Sequence, residues 1–451
     1  MNSMNEELFN HAPVSKAVIS LVVPTVISQL ITVLYNMADT FFIGQTGDPN
    51  QVAAANLSMP LFVFLTAIAN LFGIGGASLI SRSLGAGKRK KAIHTAAFSI
   101  WTSIAVALIY GIFIYLISPI VLPLLGANEG TYHFCRQYIF WTIAIGAVPT
   151  VLNSELAHLV RSEGNSKQAS FGMTLGAVLN IILDPIFIFP LHMEIAGAAL
   201  ATVISNLAAA IYFISLIRLN RYDTVLTLNP SAYSMKEHIP SEVIFVGFPS
   251  ALMNLMGILS NTTLNRLMSS YSNEAIAGVG IAKKIDMVSF GIATGMSQGV
   301  VPLIGYNYSQ KNYGRMKKAI VRTFSLSLSV ATIFTVLLFT CAQPMVRAFI
   351  HDPLTVEYGE VFQRIICITG PCISVTLITI TILQSIGKKL KPLLLSLFRK
   401  GGLDIPFMFI LNATLGVKGI VWATPIADFL AMVISIFLFV PIWRKLTSIG
   451  K

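Results

Sequence analysis

Hydrophobic residues are arranged along this chain in twelve long stretches, separated by short polar segments. A transmembrane helix needs about 20 consecutive, mostly apolar residues. Runs of this kind lie near 14–43, 53–81, 92–125, 134–160, 168–190, 196–219, 243–270, 275–307, 318–350, 358–387, 391–411 and 418–443. The longest gap, near 220–242, is too short for a soluble domain. The pattern predicts an all-α polytopic membrane protein with twelve transmembrane helices.

The composition agrees with this interpretation. Of the 451 residues, 55% are hydrophobic and 11% are charged, whereas soluble domains carry roughly 25% charged residues. The four cysteines form no CxxC pair, so they indicate packing rather than a metal site or a disulfide framework. The N-terminal segment lacks a basic stretch before a short apolar core, which argues against a cleavable signal peptide.

The net charge of +12 is concentrated on one face of the predicted topology. With both termini on the same side, that face receives 24 of the 31 Lys and Arg residues, including RSLGAGKRKK, KNYGRMKKAIVR and KKLKPLLLSLFRK. Cytoplasmic loops carry such an excess of basic residues. We therefore predict a multi-pass protein of the plasma (inner) membrane of a bacterium, with both termini cytoplasmic and no nucleic-acid partner.

The two halves of the sequence resemble each other. PTVISQLITVLYNMADTFFIG begins at Pro24, and the similar segment PSALMNLMGILSNTTLNRLMS begins at Pro249. AGAALATVIS (196–205) aligns with KGIVWATPIA (418–427) at nearly the same offset. The offset predicts a six-helix lobe at 1–220, a cytoplasmic linker at 221–242 and a second six-helix lobe at 243–451. Because each half has an even number of spans, the lobes are parallel repeats related by a pseudo-two-fold axis along the membrane normal, as in many secondary transporters.

Carboxylates inside the predicted spans are costly in a bilayer and usually functional. They are Asp39, Glu155, Asp184, Asp286, Asp404 and Asp428. Asp39 and Asp184 both fall in the outer half of their spans, and the second repeat has Leu264 and Pro406 at the matching positions. The fold therefore does not require these two carboxylates, which favours a functional role for them. For Glu155, Asp404 and Asp428 we favour a structural role.

Polar residues accompany Asp39 and Asp184 at helical spacing. Tyr35 and Asn36 precede Asp39, Asn180 precedes Asp184 by four residues, and Thr202 and Asn206 form a further i, i+4 pair. Pro185 directly follows Asp184 and removes a helix hydrogen bond, which permits a bend. Oxygen atoms of Asp, Asn and Thr suit a hard cation as well as a proton relay. The spacing predicts that these helices present inward a cluster of hydroxyl groups, amides and two carboxylates.

Several segments resemble the MATE (multidrug and toxic compound extrusion) family, above all its MepA-like bacterial branch. They are MADTFFIG, LNIILDPIFIF followed by GAALATVISN, and GVVPLIGYNYSQKNYGRMKKA. The resemblance covers essentially the whole chain and implies export of organic cations in exchange for H⁺ or Na⁺. It also implies that Asp39, Asn180, Asp184 and Thr202 bind the coupling ion. The NorM branch has a glutamate shortly after the proline of helix seven, whereas PSALMNLMG has none, so we expect coupling only in the N-terminal lobe.

Flat cationic substrates bind aromatic rings, methionine and carboxylates. The candidate substrate contacts are Tyr35, Asn36, Asn206, Asn254, Met256, Asp286, Met287 and Phe290. For Asp286, pairing with the nearby Lys283 or Lys284 is the alternative. We expect small organic cations as substrates, no cofactor beyond the coupling ion, and a monomer in the bilayer.

Two other functions were weighed against cation-coupled export. A lipid-linked saccharide flippase or a narrow metabolite exporter could share the architecture, but a basic cleft for an anionic head group is not indicated, because few basic residues fall in mid-span. An intramembrane aspartyl protease could use Asp39 and Asp184, but such proteases share a GxGD motif that is absent here. No Walker-type loop occurs, so ATP is not the energy source within this chain.

Overall fold

A computed structural model describes residues 3–449, and within this range the chain is almost entirely helical and contains no strand. Among residues 3–449, nine helices are long and apolar enough to cross a membrane, and two bent helix pairs also qualify. The membrane helices are α1 (Val14–Gly44), α2 (Pro49–Gly85), α3 (Arg89–Leu116), α4 (Glu129–Ile145 and Ala147–Ser162), α5 (Ser166–Ile188), α6 (Glu194–Leu219), α7 (Ile239–Met268), α8 (Asn273–Ser309), α9 (Tyr313–Thr340), α10 (Pro353–Cys367 and Gly370–Ser385), α11 (390–415) and α12 (417–449).

The last two helices follow each other without a loop. Together they form a stretch of 57 residues, Leu390–Leu446, that is apolar enough to cross a membrane. At a rise of 1.5 Å per residue this stretch would be about 86 Å long, nearly three times the roughly 30 Å hydrocarbon core. Gly416 interrupts it with φ 60° and ψ −142°, a conformation that glycine adopts readily because it lacks a Cβ atom. The stretch is therefore two spans, and the prediction of twelve membrane helices is confirmed.

Three spans carry distortions that the hydrophobic pattern did not predict. α4 bends by 53° at Gly146, directly after a π-helical turn at Phe140–Ile145. α10 bends by 43° between Cys367 and Gly370. α11 contains a second π-helical turn, Phe398–Asp404. Such turns inside α-helices are frequent at functional sites, and the second one holds three of the charged residues considered below.

Contacts divide the chain into two compact units, but not at the predicted linker. The first unit holds the residues up to His11 together with Ile31–Asn254, and the second holds Ala12–Leu30 together with the residues from Leu255 onward. Both α1 and α7 are therefore shared between units. The predicted lobes at 1–220 and 243–451 are each contiguous in sequence, whereas in these units parts of α1 and α7 group with helices of the other half.

Glycines explain this sharing, because they allow helix backbones to touch. In the first unit, a Cβ atom on Gly247 of α7 would lie 1.8 Å from the carbonyl oxygen of Leu71 of α2. In the second unit, a Cβ atom on Gly299 of α8 would lie 2.8 Å from the Cα atom of Val22 of α1. Gly75 of α2 also contacts α7, since a Cβ atom on it would lie 2.0 Å from the carbonyl oxygen of Val243, and Gly299 follows Gly75 by 224 residues, one fewer than the offset between Pro24 and Pro249. The repeat therefore extends to these contacts.

The predicted linker is partly packed against the first unit rather than fully solvated. Val225 and Leu226 are buried in a hydrophobic cluster with residues of α2, α3, α4 and α6. Glu163, just after α4, accepts hydrogen bonds of 2.6 Å from the Val225 N–H and from the Thr224 hydroxyl. Burial raises the pKa of Glu163 despite these two donors. Glu163 therefore anchors the start of the segment that leads to α7.

Candidate ion-coupling site

Three of the four predicted ion ligands are connected by hydrogen bonds between α5 and α6. The Asn180 side-chain amide donates to Asp184 Oδ1 at 3.2 Å and to Thr202 Oγ1 at 3.3 Å. All three side chains are buried, with exposed fractions of 2% for Asn180, 0% for Asp184 and 7% for Thr202. Asn180 and Asp184 share a helix face because they are one turn apart, as the spacing predicted.

The fourth predicted ligand, Asp39 of α1, lies within electrostatic range of Asp184. Three acceptor atoms in this group are buried and have no hydrogen-bond donor among residues 3–449: Asp39 Oδ1, Asp184 Oδ2 and Asn180 Oδ1. Two buried carboxylates repel each other when both are ionised. A proton or a cation would relieve this repulsion, and carboxylate and amide oxygens are the ligands that a hard cation prefers.

Two tyrosines lie close to this carboxylate pair. Tyr35 of α1 and Tyr138 of α4 are each within electrostatic range of Asp39 and Asp184. Tyr35 was predicted from its helical spacing. Tyr138 was not predicted. Its position in a membrane span could have indicated a polar neighbour, because a buried tyrosine hydroxyl usually finds a hydrogen-bond partner.

The remaining predicted contacts of the first unit lie apart from these hydrogen bonds. The Asn36 amide donates to the Thr32 carbonyl of its own helix at 2.8 Å. Asn206 donates to Thr150 at 3.0 Å and accepts from Asn153 at 2.8 Å, so it ties α6 to α4. These contacts join Asn206 to α4, and its role as a substrate contact stays a prediction. Asn254 is half-buried on α7.

The candidate substrate contacts of the second unit lie on α7 and α8. Met256 packs over the π-helical turn of α11, since a Cβ atom on Gly401 would lie 2.8 Å from its sulfur. Asp286 is half-buried, and Met287 and Phe290 are 39% and 37% exposed. The structure therefore places Asp286, Met287 and Phe290 along one partly open face of α8.

The second unit has its own buried carboxylate at a related place. Asp404 of α11 accepts hydrogen bonds from Ser260 at 2.6 Å, from Thr424 at 3.0 Å and from Lys400 at 3.2 Å. The side chain of Asp404 is fully buried. Its four-residue spacing from Lys400 repeats that between Asn180 and Asp184.

The second repeat thus has a buried carboxylate near the position that matches Asp184, although not at that position. At the offset of 225 read from Pro24 and Pro249, Ile405 lies opposite Asn180, so Asp404 falls one position before that match, and Thr424 falls three positions before the match to Thr202. At the offset of 222 that joins Thr202 to Thr424, Pro406 lies opposite Asp184 as predicted, and Asp404 lies two positions before it. Leu264, the counterpart of Asp39, is indeed a buried core residue. The Lys400 ammonium group lies within 4 Å of the Asp404 carboxylate. Among residues 3–449, Asp184 has no positively charged side chain at such a distance.

Two basic residues counted on the cytoplasmic face lie inside the second unit instead. Arg399 pairs with Asp428 at 2.7 Å, and the exposed fractions of the two side chains are 2% and 1%. Lys400 pairs with Asp404. The basic residues assigned to that face therefore fall from 24 to 22. In the first unit, Glu155 accepts a hydrogen bond from Ser103, so the structural role favoured for Glu155, Asp404 and Asp428 agrees with their contacts.

Comparison with known proteins identifies the family. The MatE family model matches this chain twice, over residues 24–186 and again over 249–410. The chain belongs to the MATE family. The two matches begin at Pro24 and Pro249, which confirms the internal repeat. MATE proteins are transporters, so the chain is not an enzyme and the aspartyl-protease alternative is excluded.

Individual MATE relatives match over nearly their full length. The chain is 31% identical over 442 residues to the multidrug export protein MepA of Staphylococcus aureus, covering 97% of this chain and 96% of the relative. The corresponding protein of Staphylococcus haemolyticus is 30% identical over 441 residues, with the same coverage. A solved outward-facing multidrug resistance MATE transporter has a TM-score of 0.88 at 24% identity, covering 99% of this chain and 98% of its own. The structural match supports the twelve-helix fold.

Proposed function

We propose that this MATE protein exports organic cations in exchange for a coupling ion, H⁺ or Na⁺, bound between Asp39 and Asp184. The observation that carries the proposal is a pair of neighbouring carboxylates whose buried oxygens, Asp39 Oδ1 and Asp184 Oδ2, have no hydrogen-bond donor among residues 3–449. The name of the relatives from Staphylococcus, multidrug export protein, supports the export direction and the class of substrate.

The second repeat explains why one unit would couple and the other would not. Lys400 and two hydroxyl groups occupy the oxygens of Asp404. A tethered ammonium group is always present, so Asp404 has no need of a dissolved cation. In the first unit Asn180 donates to Asp184 but carries no charge, and the negative charge of the pair remains to be neutralised by an ion that arrives and leaves.

Each residue of the site has a definite part in this proposal. Asp39 and Asp184 hold the ion or the proton, and their mutual repulsion makes its release costly unless another cation replaces it. Asn180 fixes the rotamer of Asp184 and links it to Thr202 on α6. Pro185 leaves one carbonyl of α5 without a helix donor. Ion binding would thus alter the contact between α1, α5 and α6 and bias the alternation between two states.

The test is transport by purified protein in proteoliposomes under pH and sodium gradients imposed separately. A fluorescent organic cation should accumulate against its own gradient under at least one of the two. The gradient that drives it identifies the coupling ion. If neither gradient drives accumulation, while passive exchange of the dye is intact, the coupling proposal is wrong.

We also propose that both termini are cytoplasmic and that the chain acts as a monomer in the cell membrane. The 22 basic residues on one face support the orientation. Single-cysteine labelling on a cysteine-free background tests it. A cysteine at position 90 should resist an impermeant reagent in intact cells, and labelling there would reverse the topology.

A further inference from the structure

Six charged side chains lie near one another inside the second unit. They are Lys283 and Asp286 of α8, Arg399, Lys400 and Asp404 of α11, and Asp428 of α12. Three are cations and three are carboxylates, so the group is formally neutral. Charged residues at membrane depth are rare and usually pair or serve transport. Which of the six are paired therefore decides what the group can bind.

Four of the six are engaged with each other. Arg399 and Asp428 form a buried ion pair at 2.7 Å. Lys400 and Asp404 form another at 3.2 Å, and two hydroxyl groups complete the partners of Asp404. Each pair brings opposite charges together and Asp404 has no vacancy for a ligand, although Asp428 Oδ2 is buried without a hydrogen-bond donor among residues 3–449.

Lys283 and Asp286 are different. Neither has an oppositely charged partner within 4 Å among residues 3–449, and Asp286 Oδ1 is buried without a hydrogen-bond donor. They are three residues apart on α8, which places them on the same helix face. They lie about 15 Å and 20 Å along the helix from its start at 1.5 Å per residue. One unengaged cation and one unengaged carboxylate thus stand side by side at membrane depth.

An aromatic surface adjoins these two charges. Phe290 follows Asp286 by one helical turn, and its ring and Met287 are both more than one-third exposed. The Arg399 guanidinium lies 5.8 Å from the Phe290 ring. Other positions of α8, such as Ile285, are buried in a hydrophobic cluster with α9 and α10. The open face of α8 therefore combines an aromatic ring, a thioether, a carboxylate and an ammonium group.

We infer that Lys283 and Asp286 form a substrate subsite that accepts aromatic zwitterions. Asp286 pairs with the cationic amine of the ligand, Lys283 pairs with its carboxylate, and the flat ring lies against Phe290 and Met287. A simple organic cation uses Asp286 alone and leaves Lys283 unpaired. This inference rests on the proposed export function and extends it to substrates that also carry an acidic group.

The test compares two dyes that differ only at one carboxyl group. Rhodamine 110 is a zwitterion with a free carboxylate, and rhodamine 123 is its methyl ester and a cation. Binding of each dye to the purified protein is measured by fluorescence anisotropy without any ion gradient. Lys283→Met should weaken binding of rhodamine 110 at least tenfold and leave that of rhodamine 123 within twofold. Asp286→Asn should weaken both dyes.

Controls separate this role from a structural one. Lys283→Arg should restore binding of rhodamine 110, and Lys284→Met, which removes the same charge one position away, should leave the ratio of the two affinities unchanged. Three results would overturn the inference. The wild-type protein could fail to bind rhodamine 110, or Lys283→Met could leave the ratio of the two dye affinities unchanged. Lys283→Met and Lys283→Arg could also weaken the binding of both dyes equally. If the binding ratios follow the inference but no gradient drives transport, only the proposed coupling fails.

Discussion

The contact between α2 and α7 depends on Gly247, and Gly247→Ala tests how tightly it is packed. The new methyl group would lie 1.8 Å from the carbonyl oxygen of Leu71, whereas contacts below 3.0 Å essentially do not occur and 3.4 Å is ordinary. The two backbones must therefore separate until this distance reaches at least 3.0 Å. No side-chain rotamer relieves the overlap, because the atom in the way belongs to the main chain.

The expected cost follows from this geometry. Overpacking a close-packed interior costs about 1–3 kcal/mol, and we place this substitution near the upper end of that range because a backbone must move. Alanine's better helix propensity recovers about 1 kcal/mol at most. At roughly 2–4 °C per kcal/mol for a unit of this size, a net cost of about 2 kcal/mol lowers the Tm by about 4–8 °C.

The assay is thermal unfolding of the purified protein in detergent at one fixed scan rate. Gly257→Ala is the matched control, since Gly257 lies on the same helix and a Cβ atom there would meet nothing within 4 Å. It should leave the Tm unchanged or raise it slightly. A Gly247→Ala protein with a Tm equal to that of Gly257→Ala would refute the close packing of α2 against α7.

Three further predictions concern charged residues outside the coupling site. Lys400→Met should destabilise the protein by about 3 kcal/mol because it leaves a buried carboxylate unpaired, and adding Asp404→Asn should recover most of that loss in thermal unfolding. Glu163→Ala should speed tryptic cleavage after Arg221, because the start of the linker loses its anchor; an unchanged rate would mean that the anchor is dispensable. Asp352→Ala should lower the Tm at pH 7, and this deficit should shrink at acid pH. Hydrogen bonds from Thr355 hold the pKa of Asp352 below its usual value, so the stabilisation that Asp352 provides is lost as the pH falls through that pKa. A deficit that is equally large in strong acid would contradict the last prediction.

The sequence was sufficient for features that depend on local periodicity. Apolar run length located every span, and four-residue spacing joined Asn180 to Asp184. The repeated motifs at Pro24 and Pro249 identified the two halves. Each of these depends only on the geometry of one helix or on the direct comparison of two segments.

Features that depend on three-dimensional packing were not accessible in this way. Arg399 was assigned to a loop because counting by face assumes that basic residues avoid the membrane interior, and its partner Asp428 is 29 residues away. Asp404 was identified as a carboxylate inside a span, but its partners Ser260 and Thr424 lie 144 and 20 residues away, so the sequence could not show these contacts. Gly247 looks like any other glycine in a membrane helix until α2 is placed against it.

Gradient-driven efflux by Asp184→Asn protein is the most direct test of the coupling site. The asparagine side chain keeps the shape of the aspartate but can neither take a proton nor provide a charge for Na⁺. Wild-type and variant proteins are reconstituted at equal density, and efflux of rhodamine 123 is measured under the gradient that drives the wild type. Glu155→Gln is the control, because it also removes a buried carboxylate of the first unit. The account predicts that Asp184→Asn abolishes gradient-driven efflux while dye binding and the control's efflux persist. Near-wild-type efflux by Asp184→Asn would contradict it.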